Sequence, residues 1–328
     1  MTEPRSPMMP RRSLLAGAGL LASPALAQAP WPNRPIRFII PWPPGQQTDV
    51  VSRLVGEFLS RKLGQPVVPE NRAGATGAIG TEAVIKSAPD GYTLLAASVG
   101  PITFSPLLKT LPYNVETDLT PVTSYGRGPY LLVTRPDFPA ADARSLVAEM
   151  RRNPGKYSYA SSGIGGAQHL VAAMFFARAE IDILHVPFQG SGAAMAAVMG
   201  GQVDCGLESP AAAGALVRDG KLKAYGHSLG VPSSLLPGVL PLAEAAGVPG
   251  YDAGGWIGMM APPGTPREIV DTLVAAVKEC FHDATRRERL GTMGLEAGPT
   301  TPEEFRAMLV KLRDEFGPVI RRLGIRAE

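Results

Sequence analysis

The stretch FIIPWPPGQQTDVVSRLVGEFLSRKLG, residues 38–64, decides how this chain is read. It begins at the end of a β-branched apolar run, residues 36–40, of the kind that forms a buried strand. Pro41, Trp42, Pro43, Pro44 and Gly45 then make a stiff turn, followed by the amides of Gln46 and Gln47. Beyond it Val50, Val51, Leu54, Val55, Phe58 and Leu59 recur at helical spacing, with Arg53, Glu57 and Arg61 on other faces. Thr48 or Asp49 is placed to cap the first turn, and Gly64 to end the helix. A polar strand-to-helix corner is where phosphates, carboxylates or catalytic nucleophiles are held, so its chemistry has to be decided from the rest of the chain.

The pattern repeats along the sequence. Strands are expected near residues 65–69, 92–97, 130–133, 157–160, 183–188, 203–208, 222–227 and 256–261. Helices are expected at 143–152, 168–178, 193–200, 214–219, 269–283 and 302–323. This alternation predicts an α/β protein with parallel sheets covered by helices, whose ligands sit outside the carboxyl ends of the strands. Five polar or glycine-rich corners fall at such ends: residues 43–49, 98–100, 161–169, 189–192 and 208–209.

Composition narrows the class. The 328 residues are 45% hydrophobic and 19% charged, ordinary for a globular protein, and long enough for two domains of ~150 residues. Arg11 and Arg12 precede an apolar run from Leu14 to Leu26, shorter than the ~20 residues of a membrane span. Ala25-Leu26-Ala27 is a small-x-small cleavage site, so residues 1–27 read as a signal peptide for export, by either the twin-arginine or the general secretory route. That segment carries a net +2 of the formal +3, which leaves +1 for the mature chain and no support for a nucleic-acid partner. Cys205 and Cys280 read as two separate buried thiols rather than a disulfide framework.

Several candidate chemistries can be weighed. Gly226-His227-Ser228-Leu229-Gly230 matches the nucleophile elbow of secreted serine esterases, yet Pro232, Pro237 and Gly238 hinder the helix that must follow it. Ser162-Gly163-Ile164-Gly165-Gly166 lacks the spacing of a dinucleotide loop. His169, His185, His227 and His282 show no metal-ligand spacing, so neither a metal nor a cofactor is expected. What remains is non-covalent capture of an anion by glycine-, serine- and amide-rich loops that feed helix N-termini.

At this point the residues resemble a known family. Arg34-Pro35-Ile36-Arg37, Pro43-Pro44-Gly45 with Thr48-Asp49, and Leu63-Gly64-Gln65-Pro66-Val67-Val68 are similar to segments of the tripartite tricarboxylate transporter solute receptors, or Bug-type receptors. So are Glu70-Asn71-Arg72, Ala88-Pro89-Asp90-Gly91-Tyr92-Thr93-Leu94 and Asn153-Pro154-Gly155-Lys156. His185-Val186-Pro187-Phe188-Gln189-Gly190, Gly200-Gly201-Gln202-Val203-Asp204 and Ala261-Pro262-Pro263-Gly264-Thr265-Pro266 extend the match over the mature chain.

The resemblance implies a periplasmic binding protein type II-like fold: two lobes joined by two crossing strands, with the ligand cleft between them. By position, one lobe would comprise residues 28–128 and 253–328, the other 129–252. It implies a periplasmic receptor without catalysis, expected to act as a monomer, that takes a small organic acid and delivers it to membrane transporter subunits. A sensor feeding a membrane kinase is the neighbouring possibility. Carried over residue by residue, the ligand site is expected to draw on Trp42, Pro44, Gly45, Gln46, Gln47, Thr48, Asp49, Arg72 and Ser98 of one lobe. The other lobe is expected to supply Ser161, Ser162, Gly163, Gln168, Phe188, Gly190 and Glu208. Three positions depart from the family pattern: Gln46 replaces a glycine, Ala73 a proline, and Glu208 a common aspartate. Trp42 stands where a smaller aromatic is usual.

Overall fold

A computed structural model describes residues 30–326; the expected signal peptide lies outside the described residues. The order of elements is β1 (Ile36–Ile40), α1 (Gln47–Leu63), β2 (Val67–Asn71), α2 (Ala78–Ile85), β3 (Thr93–Ser98), α3 (Ser105–Leu108), α4 (Val115–Asp118) and β4 (Thr120–Gly128). Next come β5 (Leu131–Thr134), α5 (Ala143–Arg152), β6 (Ser158–Ser161), α6 (Ala167–Arg178), β7 (Leu184–Pro187), α7 (Ser191–Met199), β8 (Cys205–Glu208), α8 (Pro210–Arg218) and β9 (Lys223–His227). The chain ends with α9 (Leu242–Ala245), β10 (Gly255–Ala261), α10 (Arg267–His282), α11 (Ala284–Thr292), β11 (Glu296–Ala297) and α12 (Pro302–Arg322).

These strands form two sheets, one per lobe. The first runs in the order β11-β4-β10-β3-β1-β2 and the second β7-β6-β8-β5-β9. The sheets are mixed rather than wholly parallel. In the first, β1 is parallel to β2 and β3, but β10 is antiparallel to both β3 and β4. In the second, β6 is parallel to β7 and β8, while β5 is antiparallel to β8 and β9. The reason is the crossing. β4 carries the chain out of the first lobe and β10 carries it back, so these two neighbours must run in opposite directions.

Strand β4 escapes the sequence reading because Thr120-Pro121-Val122-Thr123-Ser124-Tyr125-Gly126-Arg127-Gly128 is interrupted by a proline and carries two glycines near its end. Packing demands the glycines: a Cβ at Gly126 would overlap the carbonyl of Glu296 in β11, and one at Gly128 would lie 2.5 Å from the Gly294 carbonyl. Pro121 sits near the strand's start, where a missing N–H is tolerated.

From Trp31 onward the chain packs as one compact unit. One apolar core lies under β1, β3 and α1 against α10; a larger one runs from the first lobe through Trp256, Phe305 and Phe316 to Leu170, Phe175 and Tyr251 of the second. Helix α12 therefore packs on both lobes. Cys205 and Cys280 are free and buried, and burial pushes both thiols upward, Cys280 to about 11, which leaves them protonated and inert at neutral pH.

Candidate functional site

The first lobe prepares its side of the cleft at the Pro41–Gln46 corner. Gly45 turns the chain with φ 85°, and α1 starts at Gln47 with Gln46 as its N-cap. No side chain caps this helix. Thr48 and Asp49, expected as caps, lie inside the first turn. Asp49 instead reaches back: its carboxylate accepts the Gly45 N–H at 2.9 Å, Arg53 Nε at 2.9 Å and Asn71 Nδ2 at 2.8 Å. Asn71 Nδ2 also donates to the Trp42 carbonyl at 2.9 Å. Burial pushes the Asp49 carboxyl up, but the bonds from Arg53, Gly45 and Asn71 outweigh it and hold the group below the usual carboxylate value. Asp49 is thus the clamp of the corner.

Trp42 projects from the same corner, and its indole N–H donates to Ser98 Oγ at 2.9 Å. Ser98 ends β3, and Val99 and Gly100 follow it. Because β10 is antiparallel to β3, with Ile257 opposite Ser98, the amino end of β10 reaches the same edge.

The second lobe answers with the loop between β6 and α6. Gly163 (φ 141°) and Gly165 (φ 72°) give it a path that residues with a Cβ rarely follow. Its serines are engaged inward. Ser161 Oγ lies 2.7 Å from His185 Nε2, and Ser162 Oγ donates to Gln168 Oε1 at 2.8 Å. Gln168 Nε2 donates to Glu208 Oε1 at 3.1 Å and to Ser191 Oγ at 3.4 Å, while Ser209 N–H reaches Glu208 Oε1 at 2.7 Å. The Gly165 N–H donates to His169 Nδ1 at 3.0 Å, and His169 stacks on His185 with ring centroids 3.7 Å apart. These partners set the loop so that its backbone leads into α6, whose N-cap Gly166 also lacks a side-chain cap.

Between the two sides lies a cavity of about 330 Å³. Among the expected residues it is lined by Trp42, Gln46, Gln47, Thr48 and Ser98. The second lobe contributes Ile164, Gly165, Gly166, Ala167 and Tyr130 in place of the serines themselves. Ser161, Ser162, Gly163, Gln168 and Glu208 are not part of that lining. Phe188 packs with the second lobe's own core, and Gly190 caps α7. Pro44 and Gly45 are exposed on the turn, and Arg72 is exposed and paired with Glu70 at 2.6 Å.

The lining also includes residues that sequence reasoning did not single out: Thr76, Phe104, Ser105, Leu108, Lys109, Gly255 and Trp256. No local pattern marks them. They are brought in by the chain after β3 and by the crossing strands. A larger hollow of about 550 Å³ lies between α12 and residues 102–117.

The esterase motif has another role. Ser228 is buried, its Oγ accepts the Tyr130 N–H at 2.9 Å, and its own N–H donates to the Tyr130 carbonyl at 2.9 Å. Its carbonyl accepts the Ala253 N–H at 2.8 Å. His227 beside it has neither ring nitrogen partnered, and α9 does not begin until Leu242. Ser228 ties the two crossing segments together; no base addresses it. Ser161 with His185 is no better a nucleophile pair, because burial holds His185 down at about 4.

Comparison with known proteins fits this geometry. Residues 51–325 match the model of the tripartite tricarboxylate transporter family receptor. The chain belongs to this family. Protein BugT of Bordetella pertussis is 35% identical over 318 residues, 95% of this chain and 97% of its own. The solved periplasmic binding protein BugD is 31% identical with a TM-score of 0.69, over 91% of this chain and 100% of its own. An R. palustris structure with adipate is 29% identical with a TM-score of 0.72, over 90% and 99%. The family is one of transporter receptors, and the chain is a receptor rather than an enzyme.

Proposed function

We propose that this chain is a periplasmic receptor that closes its lobes, residues 28–128 with 253–328 and residues 129–252, on a small carboxylic acid and delivers it to a membrane transporter. Export would remove residues 1–27. One observation carries the ligand chemistry: two helices from opposite lobes, α1 and α6, turn uncapped N-termini toward one cavity with no carboxylate side chain in its lining. The first N–H groups of a helix have no acceptor of their own, and each end carries roughly half a positive charge. A carboxylate satisfies both. Gln46, Gln47 and Thr48 would meet it from one side and Gly165 to Ala167 from the other. Ser98 would hold Trp42 in place, and Ser162, Gln168 and Glu208 would hold the opposite loop. The adipate seen in a relative is in keeping with this class of ligand.

The test is a thermal-shift screen of the mature protein with mono-, di- and tricarboxylates. A ligand at a hundred times its Kd stabilises by about 2.7 kcal/mol and shifts Tm by several degrees. If no acid shifts Tm at millimolar concentration, and native mass spectrometry finds no retained ligand, the carboxylic-acid reading is wrong.

A further inference from the structure

The cavity carries more information than its charge. Four aromatic residues, Trp42, Phe104, Tyr130 and Trp256, line it in a chain that is only 6% aromatic. Two of these, Trp42 and Tyr130, each stand against a glycine. Trp42 is held by its bond to Ser98 and packs closely over Gly100, where a Cβ would come within 3.3 Å of its ring. Tyr130 is the residue before β5, just past the crossing, and a Cβ at Gly255 would lie 3.1 Å from its hydroxyl. Apart from Lys109 no charged side chain lines the space; Val99, Leu108, Ile164 and Ile257 complete apolar walls. A void of ~150 Å³ accepts benzene, so about 330 Å³ takes one ring, a carboxylate and a few further atoms. Rigid aromatic faces favour a flat, polarisable partner over a puckered one of equal area.

We infer that the ligand is an aromatic monocarboxylate, its ring lying against Trp42 and its carboxylate at the converging ends of α1 and α6. This rests on the receptor reading above and narrows its substrate class.

Titration calorimetry on the mature protein with benzoate, cyclohexanecarboxylate and adipate tests it. The first two share charge and size and differ in planarity. Benzoate is expected to bind about two- to twelve-fold tighter than cyclohexanecarboxylate, the range an aromatic contact supplies. Trp42→Leu is expected to erase that preference while both acids still bind, and Trp42→Phe to keep most of it. Equal affinity of the two acids in the unmodified protein overturns the inference, without need of any variant. Tighter binding of adipate overturns it too and leaves the receptor reading standing. Binding of no acid at all removes the carboxylic-acid reading on which the inference rests.

Discussion

His169 and His185 illustrate how much of this site is settled one side chain at a time. Their rings stack nearly parallel, at 7°, with Tyr159 against both, and one ring nitrogen of each is used by the β6–α6 loop, through Gly165 N–H and Ser161 Oγ. Burial drives both imidazoles down, His169 to about 3 with help from His185, and His185 to about 4. An unfolded histidine titrates near 6.5, so below that pH the unfolded chain gains protons that the folded one refuses. Stability from the pair is therefore fully present above pH 6.5 and is lost as pH falls toward 4, at no more than about 1.4 kcal/mol per pH unit for each ring. His227, also lowered by burial, adds in the same sense. Asp49 and Asp252, whose carboxyls are held low, lose stability only below the carboxylate range. Tm is thus expected to drop between pH 6.5 and 4.5 in the unmodified protein and to drop less steeply in His185→Gln. Identical slopes would falsify the assignment.

The same scale explains what the sequence allowed and what it hid. Pro43, Gly45 and Gln46 announce a corner through local chemistry that holds in any context. Ser161 and Ser162 announce a polar loop equally well, but whether their hydroxyls face a ligand depends on His185 and Gln168, 24 and 6 residues away. Their hydroxyls are consumed there, and residues Ile164 to Ala167 line the cavity instead.

Among elements, helices with a strong apolar face were legible: α10 and α12 start and stop within two residues of expectation. β4 was not, because its glycines serve β11 rather than its own strand propensity. Yet β4 and β10 carry the junction between lobes, and an ion pair braces them. Arg127 of β4 donates to both Asp252 oxygens, at 3.1 and 2.8 Å, just before β10. The Gly230 N–H at 2.9 Å and Lys311 of α12 at 3.4 Å share that carboxylate. Burial pushes the Asp252 carboxyl up, but Arg127 and the other donors outweigh it and hold it low. The two side chains are only 28% and 21% exposed, so the pair lies between the surface and buried cases. Asp252→Ala strands Arg127, whose Nε is already buried without a partner, and is expected to cost about 2–3 kcal/mol. Urea unfolding would read this as a lower midpoint with an unchanged slope. A loss below 0.5 kcal/mol, the ordinary scatter of a surface change, would show that the brace is ornamental.

For the whole molecule the question is what would let two lobes close when a core and a long helix already span them. The crossing strands stay paired up to Gly255 opposite Gly128, so bending has to be taken up next to that pair. There Gly254 is hemmed in: a Cβ would stand 2.5 Å from Leu229 Cδ2 and 2.9 Å from the Gly128 carbonyl. Small-residue hinges of this kind absorb backbone rotation at strand ends, and interlobe closure on a ligand is the expected consequence. Small-angle scattering should therefore record a smaller radius of gyration at saturating ligand than without it. Gly254→Ala forces the two crossing segments apart, so it should blunt that contraction and weaken the acid about tenfold, which is 1.4 kcal/mol. Because the added methyl lies away from the cavity lining, lost affinity in this variant would have to arise from closure. An unchanged Kd together with an unchanged contraction would place the hinge elsewhere.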